Sequence, residues 1–321
     1  VHEHFGPSDQ LKLDVDTAET CNAYNMLKLT RDLCCLQPLV KYGDYYEQAL
    51  YNDILASQSP KGGMFTYFMS LKPGHFKTYS TPFDSFWCCV GTGMENHTQY
   101  GNSIYFHDAH DLYVNLYIPS ELTWPEQHVV VRQETDYPTN GTVNFTVKCP
   151  QPVTFAFQFR YPGWAEAGMT VNVNGHPVSL DARPGEFVKL ARTWQNGDRV
   201  MVKLPLSLRA ESLPGVPDEK AFLYGPLVLA GDLGTTNLPS SNLEAASNTQ
   251  FFKVADPAVP TLAVGEEPLK NWLQPVAGEP LVFHTVNVGR PDDVTLKPFY
   301  QIYFNRYTVY WHLTAAGPSP H

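Results

Sequence analysis

The sequence lacks the features that mark several large protein classes. It has no run of basic residues: Lys and Arg total 22 against 32 Asp and Glu, for a formal net charge of −10. Without a basic patch there is no electrostatic footprint for nucleic acid. No apolar stretch approaches the roughly 18 residues of a membrane span, so neither nucleic acid nor a bilayer is an expected partner. The N-terminus, Val1-His2-Glu3-His4, has no initiator Met and no secretory-signal pattern, and further chain is expected upstream. No internal repeat is visible. Cysteine is scarce, with six among 321 residues. A disulfide framework is one use for them, but a chain of this length builds a core without such staples. The 43% hydrophobic and 13% aromatic content supplies that core, and the length suggests two or three domains.

The few cysteines are concentrated. Cys88 and Cys89 are adjacent in Phe86-Trp87-Cys88-Cys89-Val90-Gly91, and Glu19-Thr20-Cys21 lies upstream. One carboxylate and three thiols suit a single zinc ion, which binds Cys sulfur and Glu oxygen tetrahedrally. Residues two apart in a helix diverge, and neighbours in a strand point to opposite faces. Glu19 and Cys21 therefore meet one ion only where a helix begins or the backbone is irregular, and Cys88 and Cys89 need a turn. Gly91 and Gly93 make an irregular segment plausible there. Other uses stand beside this one. Asp16-Thr17-Ala18-Glu19 also reads as a helix capping box. Cys34, Cys35 and Cys149 read as small hydrophobes, since Cys34-Cys35 follows a helical run with no acidic or histidine partner at ligand spacing.

The first third reads as helical. Residues 17 to 36 carry Met26, Leu27, Leu29, Leu33 and Leu36 among helix formers, and Tyr42, Tyr46, Leu50 and Ile54 recur at every fourth position up to Gln58. Ser59-Pro60-Lys61-Gly62-Gly63 ends that helix, Met64 to Phe68 is β-prone, and Val90 to Tyr105 reads as one more helix. Beyond about residue 110 the pattern turns to β. Strands are expected at Asp111–Ile118, Val129–Gln133, Gly141–Cys149, Glu186–Leu190, Arg199–Leu204, Ala221–Leu229 and Tyr307–His312. The run 169–175 closes in an Asn174-Gly175 hairpin turn. Strands so spaced suggest sandwiches rather than a parallel sheet. Residues 232–290, richer in Pro, Ser, Asn and Ala, are expected to include long loops.

Five segments stand in an order that resembles a known family: Ala18-Glu19-Thr20-Cys21-Asn22, Tyr45-Tyr46-Glu47, Phe65-Thr66-Tyr67-Phe68, Phe83-Asp84-Ser85-Phe86-Trp87-Cys88-Cys89 and Leu296-Lys297-Pro298-Phe299-Tyr300. Together they resemble glycoside hydrolase family 127, the β-L-arabinofuranosidases. The likeness spans nearly the whole chain and is strongest over residues 1 to 120. It implies an α+β multidomain chain: the C-terminal part of an (α/α)6 barrel over residues 1–110, a β-sandwich over 111–235, and a loop-rich segment with strands completing a sandwich over 236–321. The barrel implies twelve helices and residues 1–110 supply three or four, so more chain, or another chain, is expected to complete the pocket.

The resemblance also implies roles. Zn2+ would be held by Glu19, Cys21, Cys88 and Cys89, with Cys88 as nucleophile and Glu3 as general acid/base. Thr20, Glu47 and Tyr67 fall at sugar-contacting positions, while Glu3 without the family match is a terminal carboxylate, Glu47 a helix-face charge and Tyr67 a core aromatic. No metal is assigned to His4, His75, His97 or His107. The implied activity is retaining, exo-acting release of β-L-arabinofuranose from plant-derived glycans or arabinosylated glycoproteins, with an oligosaccharide or glycoside as partner and a homodimer left open. The alternative is a non-catalytic carbohydrate-binding or scaffolding protein with a structural zinc site. Thiolate ligands favour the cytoplasm over the periplasm.

Overall fold

The computed structural model describes residues 12–265 and 267–314; Glu3 and His4 lie outside the described residues. The fold is mixed α+β, with few helices and extensive sheet. It divides into two compact bodies, one built from residues up to 26, 49–97 and 208 onward, the other from 27–48 and 98–207.

In the second body, alternation of apolar and polar residues builds a sandwich. A six-stranded antiparallel sheet runs in the order His176–Val178, Thr170–Val173, Arg199–Lys203, Thr142–Lys148, Val129–Thr135, Ser120–Trp124. A four-stranded sheet runs Phe187–Trp194, Val153–Arg160, Asp111–Val114, Tyr105–His107, with one parallel pairing between its two central strands. The inner faces meet through aromatic rings: Phe145 lies 5.1 Å from Phe159 and 6.1 Å from Phe157, and Trp124 lies 5.6 Å from Phe155. The expected hairpin is present. Asn174 and Gly175 both adopt positive φ, 52° and 85°, between paired Val173 and His176, the backbone that a two-residue turn between twisted strands requires.

In the first body a ten-stranded sheet carries a core on each face. Along the strand Val216–Tyr224, Ala221 and Leu223 pack with Ala56, Met69, Phe299 and Tyr307, while Phe222 packs oppositely with Trp272, Phe283 and Trp311. Short strands at Thr261–Ala263, Leu273–Pro275 and Phe283–Thr285 interrupt the stretch expected to be loop-rich.

The helices differ from expectation at their ends, for local reasons. Helix α1 spans Thr20–Leu36 rather than 17–36, because Ala18 and Glu19 pair as a strand with Met69 and Phe68. The capping box is therefore not formed; Thr17 folds back on Asp14, accepting its N–H at 2.6 Å and donating to its carbonyl at 2.7 Å. The helix expected over 42–58 is Val40–Ala49 (α2), then a π-turn at Leu50–Ile54 and a 3-10 turn at Leu55–Ser57. The π-turn coincides with Asn52, whose side chain donates to the Pro226 carbonyl at 2.9 Å and accepts the Val228 N–H at 2.8 Å. Helix α3 is Cys88–Gln99 and stops before the strand at Tyr105.

The first body also buries charge. Lys77, fully buried, donates to the carbonyls of Phe299 at 3.0 Å and Ile302 at 2.5 Å and lies 4.4 Å from the Phe299 ring. Asp53, in the π-turn, has a buried Oδ1 without a hydrogen-bond partner among the described residues. Burial pushes its carboxyl up to about 7, against the opposing pull of Lys77. Because the folded value is raised, this group's contribution favours folding below the ordinary carboxylate range and is lost as pH rises through about 7. Asp53→Asn is expected to raise the melting temperature by a few degrees at pH 8, with the gap closing at pH 4. Equal effects at both pH values would contradict this account.

Candidate metal centre

Three segments of the first body bring the site together. The Ala18–Glu19 strand leads into α1, so Glu19 is the last extended residue and Cys21 the second helical one. That is the helix start which the Glu-x-Cys spacing demanded. Cys88 and Cys89 form the first turn of α3. Helix α3 is seated closely on the Phe65 ring at Gly93, where a Cβ would lie only 2.5 Å from Cγ of that ring. The carbonyl of Tyr67 joins the segments: it accepts the Thr20 N–H at 3.1 Å, the Thr20 hydroxyl at 3.3 Å and the Cys89 thiol at 3.7 Å.

The outcome is a cluster. One donor atom from each of Glu19, Cys21, Cys88 and Cys89 lies within 4.8 Å of the others. Cys88 Sγ is 3.7 Å from Glu19 Oε1 and 3.8 Å from Cys89 Sγ. Two sulfurs each about 2.3 Å from one ion at the tetrahedral angle lie about 3.8 Å apart, so these spacings suit a zinc-sized cation. All six cysteines are free thiols, which leaves the sulfurs available as ligands.

Electrostatics set the condition that a cation here would have to meet. Burial pushes the Cys21 thiol up to about 11 and the Cys89 thiol higher still. Left alone, these thiols stay protonated; a dication in their midst is what makes their ionised forms affordable. Both helices direct their N-terminal ends, where the helix dipole favours negative charge, towards this cluster. Exposure differs among the donors: Cys21 and Cys89 are buried and Cys88 is exposed.

The other expected site residues have defined surroundings. Thr20 is buried and also directs its hydroxyl at the Thr66 carbonyl, 3.0 Å away. The Tyr67 ring is buried against Phe68, with centroids 4.5 Å apart, and meets Trp87 edge-on at 5.9 Å. Glu47 belongs to the second body, where its Oε1 accepts Arg160 at 2.6 Å and Tyr137 at 2.8 Å and its Oε2 accepts Trp164 at 3.3 Å. Arg160, fully buried, also binds Asp44 at 2.6 Å. His75 stacks on Phe76 at 4.3 Å and His97 lies 3.2 Å from Gln58; neither joins the thiol cluster. Sequence reasoning overlooked Thr92, whose hydroxyl sits 3.3 Å from Cys21 Sγ. Its place one helical turn after Cys88 was the available signal.

Residues 1–102 match the GH127 β-L-arabinofuranosidase catalytic domain, 111–206 the GH127 β-L-arabinofuranosidase middle domain, and 209–313 a domain of unknown function. Together the first two cover well over half of the chain. It belongs to glycoside hydrolase family 127. A non-reducing end β-L-arabinofuranosidase of Bifidobacterium longum subsp. longum is 25% identical over 250 residues, 72% of this chain and 38% of the relative. A GH127 β-L-arabinofuranosidase from Geobacillus stearothermophilus T6 superposes with a TM-score of 0.70 at 21% identity, over 95% of this chain and 51% of that one. A GH127 β-arabinofuranosidase gives a TM-score of 0.70 at 22% identity, over 96% and 52%. The chain thus spans under two fifths of the curated relative and about half of these solved structures.

Three outcomes are expected. Zinc added to metal-free protein binds at one equivalent and releases protons, which a pH-indicator titration detects, and its affinity falls as pH drops because protons compete for the thiolates. Cys21→Ser weakens binding by more than the roughly 10–100-fold typical of losing a residue that only supports a ligand. In the second body, Glu47→Ala leaves the Arg160 charge buried without one partner and costs about 3–5 kcal/mol in urea unfolding; a loss below about 1 kcal/mol would show that the pair is dispensable to the fold.

Proposed function

We propose that this chain is the zinc-bearing part of a retaining, exo-acting β-L-arabinofuranosidase, acting on plant-derived glycans or arabinosylated glycoproteins. The observation that carries this is the Glu19, Cys21, Cys88, Cys89 cluster with one exposed sulfur, in a chain of this family. Residues 1–110 are read as the C-terminal part of an (α/α)6 barrel, 111–235 as a sandwich, and 236–321 as strands completing a sandwich.

Glu19, Cys21, Cys88 and Cys89 would hold the metal. Zinc bound there would keep the thiols ionised at neutral pH and fix their directions. Cys88 is the nucleophile in this reading, as the exposed thiol at a helix N-terminus. Its sulfur attacks the anomeric carbon while the bond to the leaving oxygen breaks, and Glu3 gives that oxygen its proton. The glycosyl thioether so formed is opened by water, whose proton returns to Glu3, and Cys88 leaves as thiolate. Two displacements at one carbon retain configuration. Tyr67 and Thr20 are read as walls of the sugar site, with Thr20 also spending its hydroxyl on the backbone; Glu47 is read as a sugar contact that Arg160 holds in place.

In the full-length gene product, Glu3→Gln is expected to lower hydrolysis of p-nitrophenyl β-L-arabinofuranoside by about 10²–10⁴-fold. Cys88→Ser should abolish it while circular dichroism and melting stay near the parent's. If Cys88→Ser instead loses metal and fold together, the site is structural, and a non-catalytic carbohydrate-binding or scaffolding role takes precedence.

A further inference from the structure

The stretch that matches a domain of unknown function, residues 209–313, reaches the thiol cluster. Its residues 243–246 are bonded to the segment that runs up to the two adjacent cysteines. Tyr79 donates its N–H to the Leu243 carbonyl, and its own carbonyl accepts the Ala245 N–H, both at 2.9 Å. Ser85, buried, donates to the Ala245 carbonyl at 3.3 Å, and Trp87 donates its indole N–H to the Ala246 carbonyl at 2.9 Å. A turn follows, in which Gln250 and Phe252 donate their N–H groups to the carbonyls of Ser247 and Thr249, each at 3.2 Å. Two successive rings then part company. Phe251 is buried with Phe76, Tyr79, Leu243 and Ala245. Phe252, half-buried, packs against the group formed by Cys21, Tyr67, Phe68 and Cys89, with its ring 6.0 Å from that of Phe68. Trp87 packs against the same group.

We propose that Phe252 seals the buried side of the metal centre, and that supplying this ring is a task of the domain of unknown function. The proposal rests on the metal reading above and adds a residue that shelters the ligands rather than binding the ion. Bound thiolates are lost to protons, and the apolar shell around a metal site controls the access of solvent to it. A phenyl ring has no donor or acceptor, so it excludes water without competing for the ion. Its placement is fixed from both sides. Phe251 is held in its own core, and the hydrogen bonds from Tyr79, Ser85 and Trp87 tie the preceding residues to the cysteine segment. Cover on one side only also accounts for the donor set, in which Cys21 and Cys89 are buried while Cys88 is exposed.

The test compares the parent full-length protein with Phe252→Ala and Phe252→Leu by two measurements. In the first, zinc-loaded protein meets excess 4-(2-pyridylazo)resorcinol and the release of zinc is timed. In the second, metal is removed and iodoacetamide alkylation is followed cysteine by cysteine by peptide mass spectrometry. Phe252→Ala is expected to speed zinc release and the alkylation of Cys21 and Cys89 by about tenfold, as local opening does for groups that lose their cover. Cys34, buried in the second body, keeps its parent rate, which separates a lost seal from a general loosening of the fold. Phe252→Leu keeps the apolar bulk and is expected to restore most of the protection. Zinc release, or alkylation of Cys21 and Cys89, at the parent's rate in Phe252→Ala would overturn the proposal, as would an equal rise at Cys34. A parent protein that takes up no zinc would instead remove the metal reading, while the alkylation measurement still decides whether Phe252 is the seal.

Discussion

A single backbone carbonyl holds the candidate site together. Tyr67 C=O receives the first N–H of α1, the Thr20 hydroxyl and the Cys89 thiol, so it ties the start of one helix to the start of another. The two-residue pairing of Ala18–Glu19 with Phe68–Met69 sets the register of that tie. A slip of one residue would turn Glu19 to the opposite face and separate it from Cys88. Ligands from positions 19, 21, 88 and 89 converge because a strand ends and two helices begin at one place, which is where residues one and two apart are able to point alike.

That arrangement also answers the cost of burying sulfur. A thiolate in an apolar setting is disfavoured, and the raised values at Cys21 and Cys89 express it. Two helix N-termini offset that penalty in part, and a cation bound among the donors would offset the rest. The dipoles are permanent features of the fold, and the four donors already lie within 4.8 Å of one another, so the cluster has the spacing that a cation would need. The second body treats charge differently. Arg160 is enclosed by Asp44 and Glu47, with Tyr137 and Trp164 completing the Glu47 carboxylate, a network that closes on itself and needs no ion.

Much of this was legible from residue types and spacing. The Glu-x-Cys and Cys-Cys pairs pointed to the four residues that the fold gathers into one cluster, the Asn174-Gly175 dipeptide placed a hairpin, and the alternation after residue 110 announced the sheets. Helix ends were less legible, because they depend on partners remote in sequence. Nothing in residues 17–19 says that Met69 will claim Ala18, and nothing in the Tyr42–Gln58 periodicity says that Asn52 will bond across to Pro226 and Val228. Tertiary hydrogen bonds overrode a local capping signal and a local helical period. Partners of buried polar groups were equally hidden: sequence left Glu47 between a helix-face charge and a sugar contact, and could not foresee Arg160, 113 residues away.

The differing exposure of the four donors carries the last step. A site whose only task is to stabilise a fold gains most by enclosing every sulfur, since an open ligand admits water and competing thiols. Here Cys21 and Cys89 are enclosed and Cys88 is not. The open position coincides with the one donor preceded by an anchored, solvent-facing aromatic segment. An accessible sulfur, held at a helix N-terminus beside two enclosed thiols and a half-buried carboxylate, is the donor of this cluster best placed to meet another molecule. This asymmetry within the donor set, more than the cluster's existence, is the observation on which the catalytic reading proposed above rests.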